Sequence, residues 1–473
     1  MRRTKIVATV GPACDSRASL AAMVKAGVNV FRLNFSHGTA EEHRARAALI
    51  REVASEQNQH VGLLGDLQGP KIRLRKLAQD PVRLQPGLRL VLDTRLADGE
   101  GDGLHLGVDY EPLARSVSAG DTLLLDDGRL RLVVEKVEGE EVHCVSESAG
   151  NLHSRKGINR LGGGLSAPAL TEKDMEDIQL AAEIGLDFIA VSFPSSADDI
   201  HDARSKLQQA GCLANIIGKI ERAEAVANEA HLDELIRACD GVMVARGDLG
   251  VEIGDASLIG LQKHIIKRSR VLNRPVITAT QMMESMIQNP VPTRAEVFDV
   301  ANAVLDGTDA VMLSAETASG QYPVETVVAM ARNCEGAEQY PSARKSSYRL
   351  ERQFDSIQET LAMSAVYAAN HQKGVKAIVS LTETGRTVLL MSRLTSGIPI
   401  YAFSSHGETC SRVSLYRGVY AQRTARHDTT IEECVAVLKE KGHVAVDDVL
   451  LVTLGDTVGI DGHTNTLKMV RVS

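Results

Sequence analysis

Eight short segments of this chain are apolar almost from end to end: residues 5–10, 28–35, 61–66, 186–193, 215–220, 241–245, 275–280 and 309–313. Continuous rather than alternating hydrophobicity marks a strand covered on both faces, and such strands belong to parallel sheets. Helical periodicity fills most of the gaps, as in 17–26, 42–57, 172–184, 259–272 and 293–305. Eight βα units predict a (β/α)8 TIM barrel. Such a barrel keeps its chemistry just past the carboxyl ends of its strands. Polar residues do collect there: Arg32, Asn34, Ser36 and His37; Asp66; Ser192; Lys219 and Glu221; Arg246 and Asp248; Thr280 and Gln281; Ser314 and Glu316. The alternative, an open doubly wound sheet, concentrates ligand groups at one switch point instead of at every strand.

About a hundred residues separate the third segment from the fourth, far more than a βα loop needs. Residues 70–168 read as short strands with turn signals, including 89–92, 122–125, 131–137 and 142–145, with Asp126-Asp127-Gly128 as a turn. An all-β, β-barrel-like domain inserted after strand 3 is predicted, either a lid over the barrel mouth or a static decoration. Gly69-Pro70 and Gly162-Gly163-Gly164 would be its flexible joints. After residue 342 a new βαβ series begins: helices at 356–371, 386–394 and 430–441, and strands at 376–381, 399–403 and 448–454. The predicted organisation is therefore a barrel (1–69 and 169–342), a lid (70–168) and a C-terminal α/β domain (343–473). A length of 473 residues has room for roughly three domains.

Composition narrows the function. With 44% hydrophobic and 24% charged residues the chain is that of an ordinary globular protein. A net charge of −8 supplies no global field for nucleic acid, so none is expected as a partner. No apolar run approaches the roughly 18 residues of a membrane span, and residues 6–10 are too short for a secretory leader. No membrane association is expected. Seven scattered cysteines without a CxxC pair fit a reducing cytoplasm. No HExxH, HxxxH or clustered Cys/His spacing indicates a structural metal.

The chemistry-bearing residues converge on strands 5 and 6, which are neighbours in a barrel. Glu221 and Asp248 close them, so two carboxylates can meet on a hard cation such as magnesium, or pair with cations as a structural ion pair. Lys219, two residues before Glu221, points to the same side of its strand. Together these groups can spread negative charge, as phosphoryl transfer or enolate stabilisation requires. Residues 245–250, Ala-Arg-Gly-Asp-Leu-Gly, read as a sharp turn whose backbone N–H groups could hold a carboxylate. Arg32 and Arg73 offer planar forks for phosphate or carboxylate, or serve as ordinary surface salt bridges. In the third domain Thr382-Glu383-Thr384-Gly385-Arg386-Thr387 joins a strand to a helix, either as a phosphate cradle or as a simple helix cap. No Walker A sequence exists, and Gly-Glu-Gly-Asp-Gly at 99–103 precedes no helix, so a nucleotide site must use another device.

Six motifs carry a family resemblance: Phe31-Arg-Leu-Asn-Phe-Ser-His-Gly38, Gly65-Asp-Leu-Gln-Gly-Pro-Lys-Ile-Arg73, Gly218-Lys-Ile-Glu221, Met243-Val-Ala-Arg-Gly-Asp-Leu-Gly250, Thr278-Ala-Thr-Gln-Met282 and Met312-Leu-Ser-Ala-Glu-Thr317. In this order, over essentially the whole length, the chain resembles the pyruvate kinases. The resemblance implies transfer of a phosphoryl group from phosphoenolpyruvate to ADP, giving pyruvate and ATP. It implies Lys219, Thr280 and Arg32 as catalytic residues, and Arg32, Ser192, Gly247, Asp248 and Thr280 around the substrate. Glu221 and Asp248 would hold Mg2+ or Mn2+. Arg73, Lys156, Asn34 and His37 would serve the nucleotide, and Asp127 resembles the lid carboxylate that swings inward on closure.

The resemblance also carries expectations about ions, effectors and assembly. Asn34, Ser36, Asp66 and the Leu67 carbonyl match the family's potassium pocket, but Lys71 stands where potassium-requiring members carry Glu. An ammonium there replaces the ion's charge, so K+ is expected not to be required. Thr382, Thr384, Gly385, Arg386 and Thr387 are the implied contacts of a phosphorylated effector, AMP or a sugar monophosphate, with the loop 455–465 folding over it. A cytoplasmic, allosteric homotetramer is the family expectation. Two readings compete: an enolate-forming aldolase, in which Lys156 would be idle, and a catalytically dead effector sensor, which the intact Lys219, Glu221, Asp248 and Thr280 disfavour.

Overall fold

The computed structural model describes residues 1–165, 167–344, 349, 351–455 and 464–473. Three parallel strands open the chain: β1 (Lys5–Thr9), β2 (Val30–Asn34) and β3 (Gly62–Asp66). The insert follows with β4 (Val82–Leu84), β5 (Arg89–Asp93), β6 (His105–Gly107), β7 (Thr122–Leu125), β8 (Leu130–Glu138), β9 (Glu141–Ser146), β10 (Gly150–Leu152) and β11 (Ile158–Arg160). Then β12 (Phe188–Val191), β13 (Asn215–Ile220), β14 (Gly241–Ala245), β15 (Val276–Ala279) and β16 (Ala310–Leu313) complete a closed eight-stranded barrel, β1-β16-β15-β14-β13-β12-β3-β2. Six of these eight strands, β1, β3, β12, β14, β15 and β16, are buried at every position, as expected for strands covered on both faces.

Local chemistry sets the ends of the surrounding helices. Thr39 with Glu42, Thr171 with Asp174, and Thr293 with Glu296 form reciprocal capping boxes at the starts of Ala40–Glu56, Glu172–Ile184 and Arg294–Asp306. Gly307 closes the last of these at φ 94°, a left-handed conformation that side chains resist. One expectation fails here. The stretch predicted as a sharp turn after strand 6 is a helix, Arg246–Ile253, starting directly from β14 without a side-chain cap.

The insert is antiparallel apart from the β5–β6 pair, ordered β11-β7-β8-β9-β5-β6, with a ribbon β10-β4 beside it. It encloses its own core, built on Leu84, Leu92, Leu106, Leu123, Leu132 and Val142. The Asp126-Asp127-Gly128 turn joins β7 to β8 with all three residues at positive φ. The expected glycine joints are tied down: Gly162 N–H donates to the Glu252 carbonyl (2.8 Å) and Gly164 N–H to Glu224 Oε1 (2.5 Å).

The C-terminal part is a five-stranded sheet of β17 (Val375–Leu381), β18 (Ile400–Ser404), β19 (Val419–Arg423), β20 (Val449–Gly455) and β21 (Thr464–Arg471), in the order β19-β18-β17-β20-β21 with only β21 antiparallel. It seals the floor of the barrel. Val7, Leu64, Phe188, Ile217 and Ile277 of the barrel interior share one hydrophobic cluster with Met391, Val413, Leu415 and Tyr416. Within that floor Arg393 donates bidentately to Asp309, both side chains 1% exposed, and the Arg417 N–H adds a bond to Asp309 (3.0 Å). Among the described residues no helix is long and apolar enough to cross a membrane.

Candidate active site

The carboxyl edge of the barrel gathers the polar residues that its strands deliver. Asp66 ends β3 and is buried; its carboxylate accepts from Arg32 Nε (2.6 Å) and stands 3.5 Å from Lys219 Nζ. Arg32 leaves β2 and also donates to Thr9 Oγ1 (3.0 Å). Lys219, near the end of β13, donates to Ser192 Oγ (2.8 Å), and Ser192 donates to the Leu67 carbonyl (2.6 Å). Burial pulls the Lys219 ammonium down, but the Asp66 and Glu221 carboxylates override it and hold its pKa above the usual lysine value. Burial likewise raises Asp66, while Arg32 and Lys219 bring it below the ordinary carboxylate range.

Glu221 lies just past β13 and is fully buried. Its Oε1 accepts from Phe193 N–H (2.7 Å), whereas Oε2 makes no hydrogen bond, with Lys219 Nζ 3.4 Å away. Burial pushes this carboxyl up to about 7, and Asp248 adds to the shift. Asp248, in the first turn of the helix that leaves β14, accepts from Lys71 Nζ (3.1 Å). A buried carboxylate oxygen that has no hydrogen bond, only an ammonium 3.4 Å away, and that feels the charge of Asp248 is poorly compensated unless a further cation joins it. These residues therefore fit a hard divalent ion with oxygen ligands.

Thr280 follows β15 at φ 66°, a rare conformation for a β-branched residue. It is held there on two sides. Its Oγ1 accepts from Gly247 N–H (2.9 Å), and its carbonyl accepts from Arg246 Nη2 (2.6 Å), while Arg246 Nη1 donates to both Asp299 carboxylate oxygens (2.7 and 2.8 Å). Sequence reasoning missed this Arg246–Asp299 clamp. It also missed Glu252, whose buried carboxylate accepts from Ala223 N–H (2.7 Å) and Asn159 Nδ2 (3.3 Å), joining the insert to the segment behind Glu221. Neither has a motif signal, since both depend on partners tens of residues away.

The other predicted residues divide into groups. Arg32, Asn34 and His37 line one cavity of about 600 Å³, with Thr9, Pro12 and Arg46. Ser36 N–H bonds Asn34 Oδ1 (3.3 Å). Arg73 and Lys156 stay on the insert, Arg73 donating to the Arg155 carbonyl (3.0 Å) and Lys156 pairing with Asp126 (2.6 Å). Lys71 bridges Asp248 and Asp127 (3.7 Å), while Asp66 is held by Arg32 and Lys219. In the C-terminal part Gly385 N–H bonds Thr382 Oγ1 (3.0 Å), Thr387 Oγ1 bonds Thr464 (2.9 Å), and Arg386 starts a helix, Arg386–Ser392. Thr384 lies within the same loop, and residues 456–463 of the expected covering loop lie outside the described residues.

Comparison with known proteins agrees with this geometry. Residues 1–327 match the pyruvate kinase barrel domain and residues 359–470 the pyruvate kinase alpha/beta domain. The chain is 55% identical to pyruvate kinase II of Salmonella typhimurium over 475 aligned residues, covering 100% of this chain and 99% of that one. It is 55% identical to a pyruvate kinase of Haemophilus influenzae, over 96% of each. The crystal structure of a pyruvate kinase from Cryptosporidium parvum superposes with a TM-score of 0.93 at 34% identity, covering 100% of this chain and 96% of that one. A closed barrel with an inserted β module, a C-terminal α/β sheet and these full-length likenesses have one meaning: the chain belongs to the pyruvate kinase family.

Proposed function

We propose that the polar edge of the barrel is the catalytic centre, with Lys219, Glu221, Asp248, Thr280 and Arg32 acting on one bound substrate. The enzyme transfers the phosphoryl group of phosphoenolpyruvate to ADP, giving pyruvate and ATP. Lys219 holds a fixed positive charge where the transferring oxygens pass, oriented by Ser192 and kept protonated by Asp66 and Glu221. Arg32, braced on Asp66 and Thr9, presents the rest of its fork to the phosphate. The substrate carboxylate meets Thr280 and the amides of Gly247 and Asp248; on its arrival Gly247 N–H exchanges Thr280 Oγ1 for the carboxylate. Thr280, or a water beside it, serves protonation of the enolate carbon.

The family's divalent ion, Mg2+ or Mn2+ in this reading, would be held by Glu221 and Asp248. When bound it would polarise the phosphate and offset enolate charge. The single observation that carries the reading is the orphaned, buried Oε2 of Glu221 within reach of the Lys219 ammonium. The test is Mn2+ binding followed by the free-ion electron paramagnetic signal. Glu221→Gln and Asp248→Asn are each expected to weaken it at least tenfold; retention of Mn2+ by both variants would remove the assignment.

The remaining parts of the proposal rest on separate supports. The barrel comprises 1–69 and 169–342, the lid 70–168 and the effector domain 343–473. ADP occupies the 600 Å³ cavity beside Asn34 and His37, with Arg73 and Lys156 brought over it by the insert. Lys71 supplies a fixed ammonium at Asp248, so K+ is dispensable. Thr382, Thr384, Gly385, Arg386 and Thr387 receive the phosphate of AMP or a sugar monophosphate at the carboxyl edge of β17. The enzyme is cytoplasmic and assembles as a homotetramer; the exposed Ile259, Val291 and Phe298 and the outer edge of β21, unpaired among the described residues, support the assembly.

A further inference from the structure

Three consecutive parallel strands of the C-terminal sheet each deliver one metal-ligating residue past their carboxyl ends. Leu381 of β17 stands in register with Phe403 of β18, and Phe403 with Gln422 of β19. Two residues beyond Leu381 comes Glu383, three beyond Phe403 comes His406, and five beyond Gln422 comes His427. Their ligating atoms lie within 4.8 Å of one another. His406 Nε2 is 2.7 Å and His427 Nδ1 3.6 Å from the same oxygen, Glu383 Oε2. The backbone beneath is fixed at two points: Thr409 Oγ1 donates to the Glu383 carbonyl (2.6 Å) and Ser404 Oγ accepts from His406 N–H (3.2 Å); Ser405 Oγ bonds His427 Nδ1 (2.8 Å), a contact that a metal ion on that nitrogen would replace. The crevice outside the carboxyl ends of parallel strands is where open α/β sheets bind ligands.

We propose that Glu383, His406 and His427 form a binding site for a borderline divalent transition metal, zinc being the natural occupant. Two imidazoles and a carboxylate are the donor set of three-ligand zinc sites that keep a fourth position open. Tetrahedral zinc with bonds of about 2.0–2.1 Å separates its ligand atoms by about 3.3–3.4 Å. Measured from Glu383 Oε2, His406 needs to part and His427 to approach by well under about 1 Å to meet that spacing, and the two imidazoles start within 4.8 Å of each other. All three side chains are partly exposed, so the shift needs no repacking of the core. The insert offers an instructive contrast. Asp93, His105 and Glu141 converge as closely, but Arg95 already bridges both carboxylates and leaves no place for a cation. Among the described residues Glu383 pairs with no lysine or arginine, only with the two imidazoles.

Glu221 and Asp248 present oxygen alone, which suits magnesium, whereas the imidazole-rich set discriminates against it. The two sites are therefore separable in one sample. Full-length protein held in millimolar magnesium and dialysed against micromolar zinc is expected to retain one zinc per chain. Cobalt in its place is expected to show the intense visible bands of a four-coordinate ion. His406→Ala and His427→Ala should each weaken zinc binding at least tenfold, and the double variant should lose the zinc and the cobalt bands with its circular dichroism and basal turnover unchanged. No zinc retained by the wild-type chain, or one equivalent surviving in the double variant, would overturn the site.

Discussion

At the residue scale the catalytic edge is a set of charges that would be unfavourable singly and are tolerable together. The Lys219 and Arg32 cations share Asp66, Glu221 supplies the second negative charge, and one Glu221 oxygen has no hydrogen bond. Lys219→Met is therefore expected to lower kcat by about a thousandfold or more, the scale of losing one preorganised charge-stabilising donor, in a protein that stays folded by circular dichroism. A fall smaller than tenfold in a phosphoenolpyruvate and ADP assay coupled to pyruvate reduction would show that the ammonium is a structural counter-ion. Lys219, Glu221 and Asp248 were legible in the sequence because strand ends expose chemistry at fixed, short spacings. Arg246–Asp299 and Glu252 were not, because a clamp 53 residues long in sequence leaves no periodic trace.

At the element scale, strands buried on both faces announced themselves, while the three-residue strands β4, β6, β10 and β11 and the half-buried β19 and β21 were too short or too mixed to be read. The helix after β14 was hidden for another reason: Gly247 and Gly250 within it, and Ala245 before it, imitate a turn. The start of β1 yields a prediction about pH. Lys5 is 2% exposed, donates to the Val419 carbonyl and lies 4.4 Å from the Tyr420 ring centre; burial pulls its pKa down to about 7. Between pH 7 and the unfolded lysine value near 10.4, the unfolded chain binds a proton that the folded chain does not, so this residue makes stability rise with pH. Relative to Lys5→Met, the wild type is expected to gain roughly 1 kcal/mol per pH unit between pH 7.5 and 9.5 in denaturant unfolding. A pH-independent difference between the two proteins would refute the buried neutral amine.

At the scale of the whole molecule, the Lys71 ammonium spans barrel and insert by reaching Asp248 and Asp127 together. If this built-in cation does the work of a monovalent ion, as proposed above, exchanging sodium for potassium should change the steady-state rate by less than about tenfold, or 1.4 kcal/mol, and a larger rise would refute that role. Lys71→Glu should bring a potassium requirement with it. The two accessory units stand in opposite relations to the barrel. The insert encloses a core wholly its own, whereas one face of the C-terminal sheet shares its core with the barrel interior, nailed by Arg393 to Asp309, while the other face packs a core within the C-terminal part. A lineage can thus exchange the insert as a cassette, provided its two seams are kept. The floor of the barrel and the sheet beneath it must be inherited as a pair, because each is the other's inner surface.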